Sequence, residues 1–129
     1  MDLIIDRMFS NKKKGIYVDV GCNHPIKFNN TYLLYKRGWN GINIDLDNDS
    51  IKQFNKLRKR DVNIKTLVTS FDGEEKNLYF YHNRSAINTI SKTLADKRIN
   101  KHKEIKTIKG TSLNSIIEKS KYKNSNINL

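Results

Sequence analysis

The feature that most constrains the fold is an alternation of short apolar runs with amphipathic segments over residues 15–70. The runs are rich in β-branched and aromatic residues, which is typical of buried strands. The segments between them have apolar residues at helical spacing. Strands that alternate with helices over short connections predict an α/β fold with a parallel, right-handed, doubly wound sheet. In chain order the segments are "GIYVDVG", "TYLLYKR", "WNGINIDLD", "SIKQFNKLRKR" and "VNIKTLVTS".

The ends of the two helices are marked by polar residues and glycine. Asn29 and Asn30 can cap the first helix, and Gly38 suits its C-terminal end. Asp49 or Ser50 is expected to open the second helix. The apolar side of that second helix is predicted to contain Ile51, Phe54, Leu57 and Arg58.

Outside this alternation the sequence predicts an N-terminal helix and a β-hairpin appendage. Residues 1–14 are expected to form a short amphipathic helix on the edge of a domain that spans residues 15–129. The stretch "FDGEEKNLYFYH" combines an Asp-Gly turn with an apolar run, which indicates a hairpin or β-appendage. Its alternating aromatic residues are expected to pack in the core, and a base-stacking surface is the alternative.

The last third of the chain has weaker patterns. "AINTISKTLADKR" is expected to be a loop or a weak helix, and "KEIKTIKG" alternates as an exposed strand does. "TSLNSIIEKSK" predicts a helix that has Thr111 or Ser112 at its N-cap. The final residues, "NINL", have the pattern of a strand that opens and does not continue.

Composition and charge narrow the class of protein. The chain has 129 residues, which suits one domain, and it contains no apolar run long enough to span a membrane. Its single cysteine, Cys22, excludes an intramolecular disulfide, and the first residues lack the order of a signal peptide, so we expect a cytoplasmic protein. The net charge of +12 makes nucleic acid a possible partner. The lysines are spread along the chain, however, which favours a solvated basic surface.

Two polar features lie at the ends of the first two predicted strands, and doubly wound sheets bind ligands at the carboxyl ends of their strands. The first is the stretch Asp19-Val20-Gly21-Cys22-Asn23, in which Gly21 allows a sharp turn and a close approach of the backbone. The second is Asp45, which is placed to accept hydrogen bonds from the two hydroxyls of a ribose.

The loop after the first strand lacks the G-x-G-x-x-G spacing that seats a pyrophosphate. A ribose-binding acid without a phosphate cradle suits a nucleoside without phosphates, such as S-adenosylmethionine. The alternative is that Asp19 caps a turn and Asp45 is a surface acid. No paired spacing of metal ligands is present, so no metal site is predicted.

The same residues carry a family resemblance. V-D-V-G-x-N, the N-T-Y helix start, G-W-x-G-I-N-I-D and R-x-x-D occur in order, together with the "DGE" turn. With this combination the chain from Gly15 onward resembles the FkbM family of S-adenosylmethionine-dependent methyltransferases. The resemblance implies a Rossmann-like sheet of the class I methyltransferase type. It also implies O-methylation of a small molecule, sugar or glycoconjugate.

The resemblance also implies which residues bind the cofactor. The first cofactor loop would be Asp19, Val20, Gly21, Cys22 and Asn23, and Asp45 with Leu46 would meet the ribose and adenine. Thr69 and Ser70 would lie beside the adenine ring. Cys22 departs from the family's commoner alanine, a change between small residues.

A second departure concerns the end of the chain. The family's next strand, with the motif I-D-V-E-G, would follow "INL", whereas this sequence ends at Leu129. The sheet is therefore expected to be incomplete, and the chain to be an N-terminal part of a longer protein, one product of a split gene, or a degraded copy. A non-catalytic remnant and an RNA methyltransferase or RNA-binding module that uses the basic surface are the alternative functions. The catalytic base and the oligomeric state stay open.

Two single residues have competing interpretations. His24 is expected to shape the loop, with a role as general base as the alternative. Trp39, between Gly38 and Gly41, is expected to fill the space between the first helix of the alternation and the sheet.

Overall fold

The structure is a computed structural model that describes residues 2–80 and 104–129. Short helices and strands alternate up to β3, and two further pairs of short strands and a helix follow. The elements are α1 (Asp2–Met8), β1 (Ile16–Val20), α2 (Tyr32–Lys36), β2 (Asn40–Asp45), α3 (Asn48–Leu57), β3 (Val62–Lys65), β4 (Val68–Thr69), β5 (Glu75–Phe80), β6 (Glu104–Lys109), β7 (Thr111–Ser112) and α4 (Leu113–Glu118).

The central sheet has three parallel strands in the order β1-β2-β3. Val18 pairs with Ile42, and Ile44 pairs with Ile64, so apolar residues continue across neighbouring strands on one face. The middle strand β2 is buried from Gly41 to Ile44, because helices cover both of its faces. The predicted mixed α/β architecture with a parallel sheet is confirmed.

Two hydrophobic clusters occupy the two faces of this sheet. On one face Ile42 and Ile44 pack with Ile116 of α4 and with Tyr122. On the other face Tyr17 packs with Leu34 of α2 and with Trp39, and residues of α1 cover this cluster from outside. Trp39 is fully buried and meets the Phe9 ring edge-on at 5.2 Å, as expected of a residue that fills this space.

The predicted third strand is interrupted, so the expectation of one strand over residues 62–70 is wrong. The Thr66 amide still donates to the Asp45 carbonyl at 3.1 Å, and then the Leu67 carbonyl accepts from the Thr111 amide at 2.8 Å. The chain changes its hydrogen-bonding partner at this point, and β4 pairs with β7 in a separate parallel sheet. The apolar run continues because both halves are partly buried, and the sequence therefore gives no sign of the break.

The β-appendage is an antiparallel pair of β5 and β6. The predicted Asp-Gly turn is present, with Gly73 at φ +82°, but it precedes β5 and does not join the two paired strands. Tyr79 is buried, which fits core packing and excludes Tyr79 from a stacking surface. Tyr81 and the segment "AINTISKTLADKR" lie outside the described residues.

The helix ends differ from expectation in detail. The cap of α3 is Asp47, whose carboxylate accepts from the Ser50 amide at 2.8 Å, so the helix begins before Asp49 and Ser50. Leu57 is exposed, because the helix ends there and the chain turns at Arg58, which is buried instead.

The caps of the other two helices agree with the sequence only in part. The side chain of Ser112 caps α4, as predicted. The N-cap of α2 is Thr31, without a side-chain cap hydrogen bond, so the predicted cap at Asn29 and Asn30 is wrong; the side chain of Asn29 instead accepts from the Thr31 amide, ahead of the helix. Gly38 ends this helix with φ +101°.

The final residues lie along β1, on its edge away from β2. The Val18 amide donates to the Leu129 carbonyl at 3.1 Å, and the Leu129 amide donates to the Ile16 carbonyl at 3.3 Å. Two such bonds to residues on either side of Tyr17 are the pattern of a parallel pair. The strand-like character of "NINL" is therefore expressed as the start of pairing with β1. Among the described residues no helix is long and apolar enough to cross a membrane.

Candidate functional site at the carboxyl edge of the sheet

The loop after β1 folds back onto the end of β2. The amides of Gly21 and Cys22 both donate to the Ile44 carbonyl, at 2.8 and 3.1 Å. Gly21 has φ +75°, a left-handed conformation that favours glycine, and no atom lies within 4 Å of where a Cβ would stand. The turn therefore leaves open space directly beside the ends of both strands.

Asp45 connects the two loops at this edge. Its Oδ2 accepts from the Asn23 amide at 2.8 Å, and its Oδ1 accepts from the Asp47 amide at 2.9 Å. Asn23 has φ +58°, a conformation that asparagine tolerates better than most residues. Each oxygen of an ionised carboxylate accepts more than one hydrogen bond, so Asp45 can organise the loops and still accept from a ligand hydroxyl.

Asp19 is the most unusual group at this edge. Its side chain is only 8% exposed, and its Oδ2 is buried without a hydrogen-bond donor among the described residues. Burial raises the pKa of Asp19 to about 6; Arg58 opposes this shift, and the nearby carboxylates of Asp45 and Asp61 add to it. A buried acceptor without a donor is destabilising, and such groups in proteins call for an explanation.

A second acceptor without a donor lies next to Asp19. Asn43 is its register partner on β2, so the two side chains point to the same face of the sheet. The Nδ2 of Asn43 donates to Asp61 and Asn63, whereas its Oδ1 is buried and has no donor in the described part of the chain. The face that carries Tyr17 and Asp19 thus has two neighbouring acceptors that a cation or a donor-bearing ligand would satisfy.

The loop of residues 22–31 is held by a buried arginine. Arg58 is 0% exposed, and its guanidinium makes five hydrogen bonds of 2.8–3.2 Å, as many as it has N–H donors. Three of the acceptors belong to the loop. The five acceptors are the carbonyl of Pro25, the side chains of Asn29 and Thr31, the hydroxyl of Tyr17 and the carboxylate of Asp61.

Asp61 completes this network from the sheet side. Its carboxylate accepts from the hydroxyl of Tyr17 at 2.6 Å, from the Gly41 amide at 3.0 Å and from Asn43 at 2.8 Å. Burial and the Asp61 carboxylate raise the pKa of the Tyr17 phenol. Gly41 is required here, because a Cβ would stand 2.0 Å from the Tyr17 carbonyl oxygen.

Sequence reasoning assigned no role to Arg58 or Asp61. The available signals were the R-x-x-D spacing and the position of a cation on the apolar side of a helix. Neither signal indicates which loop the guanidinium contacts.

The structure brings together most of the residues that the sequence singled out. Asp19, Gly21, Asn23 and Asp45 lie at one edge, with Leu46 half-buried directly after Asp45. Val20 and Cys22 lie beside them, but neither offers a polar side-chain group to a ligand. Val20 is exposed on the opposite face from Asp19, and Cys22 is buried, with burial raising the pKa of its thiol.

Thr69 and Ser70 belong to a different part of the molecule. They lie at the end of β4, whose partner is β7 and not the central sheet. The Thr69 hydroxyl donates to the Phe71 carbonyl at 2.9 Å, and the Ser70 amide donates to Glu74 at 3.0 Å. In the described ranges no hydrogen bond or ion pair joins either residue to Asp19 or Asp45, so their expected place beside an adenine ring stays a prediction.

His24 organises the loop. Its Nδ1 accepts from the amides of Ile26 and Lys27, at 3.0 and 2.9 Å. A nitrogen that accepts two hydrogen bonds carries no proton, so this ring nitrogen serves the backbone of the loop. These contacts support the loop-shaping interpretation of His24.

Metal-ligand clusters and cavities elsewhere in the described ranges add nothing to the site at the carboxyl edge. No cluster of histidine, cysteine or acidic side chains there could hold a metal ion. A cavity of about 300 Å³ opens between β3 and α4, on the opposite face from Asp19, and is lined by residues such as Ile64, Thr111 and Lys119. It does not include Asp19 or Asp45. Comparisons of the chain with family models, curated proteins and solved structures return no match.

Proposed function

We propose that the carboxyl edge of the sheet binds S-adenosylmethionine and that the protein is a methyltransferase with a Rossmann-like sheet of the class I type. The observation that carries this proposal is the buried, donor-free Oδ2 of Asp19 beside the open turn at Gly21. The resemblance to the FkbM family supports it and indicates a hydroxyl of a small molecule, sugar or glycoconjugate as the acceptor.

The residues present fit the chemical groups of this cofactor. An ionised Asp19 provides negative charge in a poorly solvated place, where attraction to a sulfonium or ammonium group is strong. Asp45 lies on the adjacent strand with acceptor capacity left for ribose hydroxyls. The loop has no glycine-rich phosphate cradle, in agreement with a nucleoside that has no phosphates.

When bound, S-adenosylmethionine would supply a methyl group: the acceptor oxygen would form a bond to the methyl carbon in line as the carbon–sulfur bond breaks, with S-adenosylhomocysteine leaving and the hydroxyl proton passing to solvent. The chain's contribution to such a step is to hold donor and acceptor in line, and this positioning supplies much of the rate. Asp19 and Asp45 orient the donor, and the turn at Gly21 leaves the strand ends open to it. No described residue is assigned as catalytic base.

Isothermal calorimetry with S-adenosylmethionine and S-adenosylhomocysteine tests the proposal on the full chain. We expect binding by the wild type and a loss of at least about tenfold in affinity for Asp45→Ala, because the ribose loses its acceptor. Asp6→Ala is the control, since the Asp6 carboxylate is also partly exposed and accepts hydrogen bonds, but it lies on α1 beside Arg37, away from the carboxyl edge. Equal affinity of wild type and Asp45→Ala would refute the assignment.

The pH dependence adds a second criterion. Because a cationic ligand favours the ionised form of Asp19, its affinity should fall about tenfold per pH unit below about 6. S-adenosylmethionine carries the sulfonium charge and S-adenosylhomocysteine does not, so the fall should be steeper for the former. A salt-dependent gel shift with RNA, together with no heat for either ligand, would favour the nucleic-acid alternative.

A further inference from the structure

We propose that Arg58 is a positioning residue for the carboxyl-edge site: without touching the ligand, its guanidinium holds the loop of residues 22–31 in its binding shape and supplies the positive charge that faces Asp19. The role in ligand binding depends on the function proposed above. The role in shaping the loop does not.

Arg58 has no N–H donor left for a ligand. All five of its N–H groups are used, and the side chain is completely buried. A lysine ammonium in its place has three donors and no planar fork, so it cannot hold the same set of acceptors. The side chain therefore acts on the site only through the groups that it contacts.

The contacts of Arg58 lie in the loop beside the site. Pro25, Asn29 and Thr31 belong to the loop that leaves the site, and they are separated from Arg58 by 27–33 residues in the chain. Asn29 in turn donates to the Cys22 carbonyl at 3.2 Å, next to the turn at Gly21. The guanidinium is thus linked in two steps to the backbone that surrounds the open space at the strand ends.

Arg58 also acts on Asp19 electrostatically. The ionisable groups whose charges influence Asp19, or are influenced by it, are Asp45 at the end of β2, Cys22 in the loop, and Arg58 with Asp61 in the connection between α3 and β3. Arg58 is the single cation among these named groups, and it favours the ionised form of Asp19 against burial and two carboxylates. Removal of its charge should therefore make the carboxylate of Asp19 harder to form.

Three variants separate the effect of the guanidinium fork, meaning its planar set of N–H donors, from the effect of its positive charge. Thr31→Val removes one loop acceptor, Arg58→Lys removes the fork but keeps a cation, and Arg58→Met removes both. We expect about tenfold weaker binding of S-adenosylmethionine for the first two, with an unchanged pH midpoint. For Arg58→Met we expect weaker binding and a midpoint above that of the wild type. Arg37→Lys is the matched control, because Arg37 also binds backbone carbonyls as a fork but lies at the other edge of the sheet.

Nuclear magnetic resonance of the ligand-free chain gives a readout that does not depend on cofactor binding. Thr31→Val and Arg58→Lys should change amide shifts and speed hydrogen exchange in residues 22–31, and Arg37→Lys should not. The carboxyl-carbon titration of Asp19 should move upward in Arg58→Met. If that variant does not fold, Thr31→Val and Arg58→Lys decide the question.

Two results would overturn the proposal. One is that Thr31→Val and Arg58→Lys leave the loop amides as they are in the wild type. The other is that Thr31→Val and Arg58→Lys, when compared with Arg37→Lys at an equal loss of folding stability, lose no more affinity for S-adenosylmethionine than Arg37→Lys does. If the wild type binds neither S-adenosylmethionine nor S-adenosylhomocysteine while the loop amides respond as expected, the proposed function fails and the role of Arg58 in shaping the loop stands.

Discussion

At the amino edge of the central sheet, Arg37 donates to the Asp6 carboxylate and to carbonyls of residues 9–12, which ties α1 to the end of α2. At the carboxyl edge, Arg58 ties another loop to the sheet in the same manner. The two edges nevertheless differ in whether a buried polar atom is left without a hydrogen-bond partner. Trp39 closes the amino edge and donates its indole N–H to the Lys12 carbonyl at 3.3 Å, whereas the carboxyl edge keeps an acceptor of Asp19 without a donor.

On the proposed function, this difference marks the place where stability has been given up for binding. A surface arginine fork at the amino edge improves the packing of a helix, and its partners remain partly hydrated. The fork at the carboxyl edge is buried, and it stabilises a loop whose neighbour, Asp19, is destabilising in the absence of a ligand. Natural proteins commonly retain such unfavourable groups at functional sites.

The largest expected effect is the loss of a buried ionic partner at the carboxyl edge. Asp61→Ala leaves Arg58 charged and buried without its carboxylate, and it should lower the free energy of unfolding by about 3–5 kcal/mol. Asp6→Ala, at the partly exposed amino edge, should lower it by less than about 1 kcal/mol. Urea denaturation at pH 7 measures both. Losses of equal size would mean that the two edges are not different in this respect.

The next effect has the opposite sign. Asp19→Asn removes a carboxylate whose pKa is raised from 3.8 to about 6, and it should stabilise the chain by up to about 3 kcal/mol at pH 7. The same variant should lose affinity for S-adenosylmethionine, because the negative charge is gone. A variant that is more stable and binds more weakly identifies a functional acid. Lower stability would show that Asp19 instead supports the fold.

The pH dependence of that stabilisation sharpens the comparison. Between pH 3.8 and about 6 the folded chain keeps the Asp19 proton that the unfolded chain has lost, so the contribution of Asp19 to stability falls as pH rises. The difference between Asp19→Asn and the wild type should therefore be near zero below about pH 4 and complete above about pH 6. Unfolding midpoints recorded from pH 3.5 to 7.5 check this. A difference that is constant with pH would contradict the raised pKa.

The smallest expected effect concerns the tip of the loop that Arg58 holds. Phe28 is fully exposed and has φ +51°, a left-handed conformation that is unfavourable for a bulky residue. Phe28→Asn should raise the free energy of unfolding by about 0.5–1 kcal/mol, since asparagine adopts this conformation more readily. Thermal unfolding measures the change, with Phe71→Asn as a control at another exposed aromatic that lacks a positive φ. Equal changes in the two variants would mean that exposure, and not backbone strain, is responsible.

Much of the fold was predictable from local patterns. The strands β1 and β2, the helices α2 and α3 that follow them, and the acids at the strand ends follow from periodicity and from residue types within about ten positions. The cap of α3 was misplaced by two or three residues, because Asp47, Asp49 and Ser50 are all good capping residues and only the backbone decides among them. The break after β3 was missed, since it depends on the Leu67 carbonyl binding an amide 44 residues later in the chain.

The sequence by itself determined a parallel α/β arrangement with Asp19 and Asp45 at neighbouring strand ends, because both follow from short-range patterns and from the geometry of parallel strands. Only the tertiary structure decided that Asp45 is satisfied by two amides while Asp19 has an oxygen without a donor. It also decided that Arg58 is buried beneath the loop and not solvated. These properties depend on contacts between residues tens of positions apart, and on the loss of water around them, which no local pattern encodes.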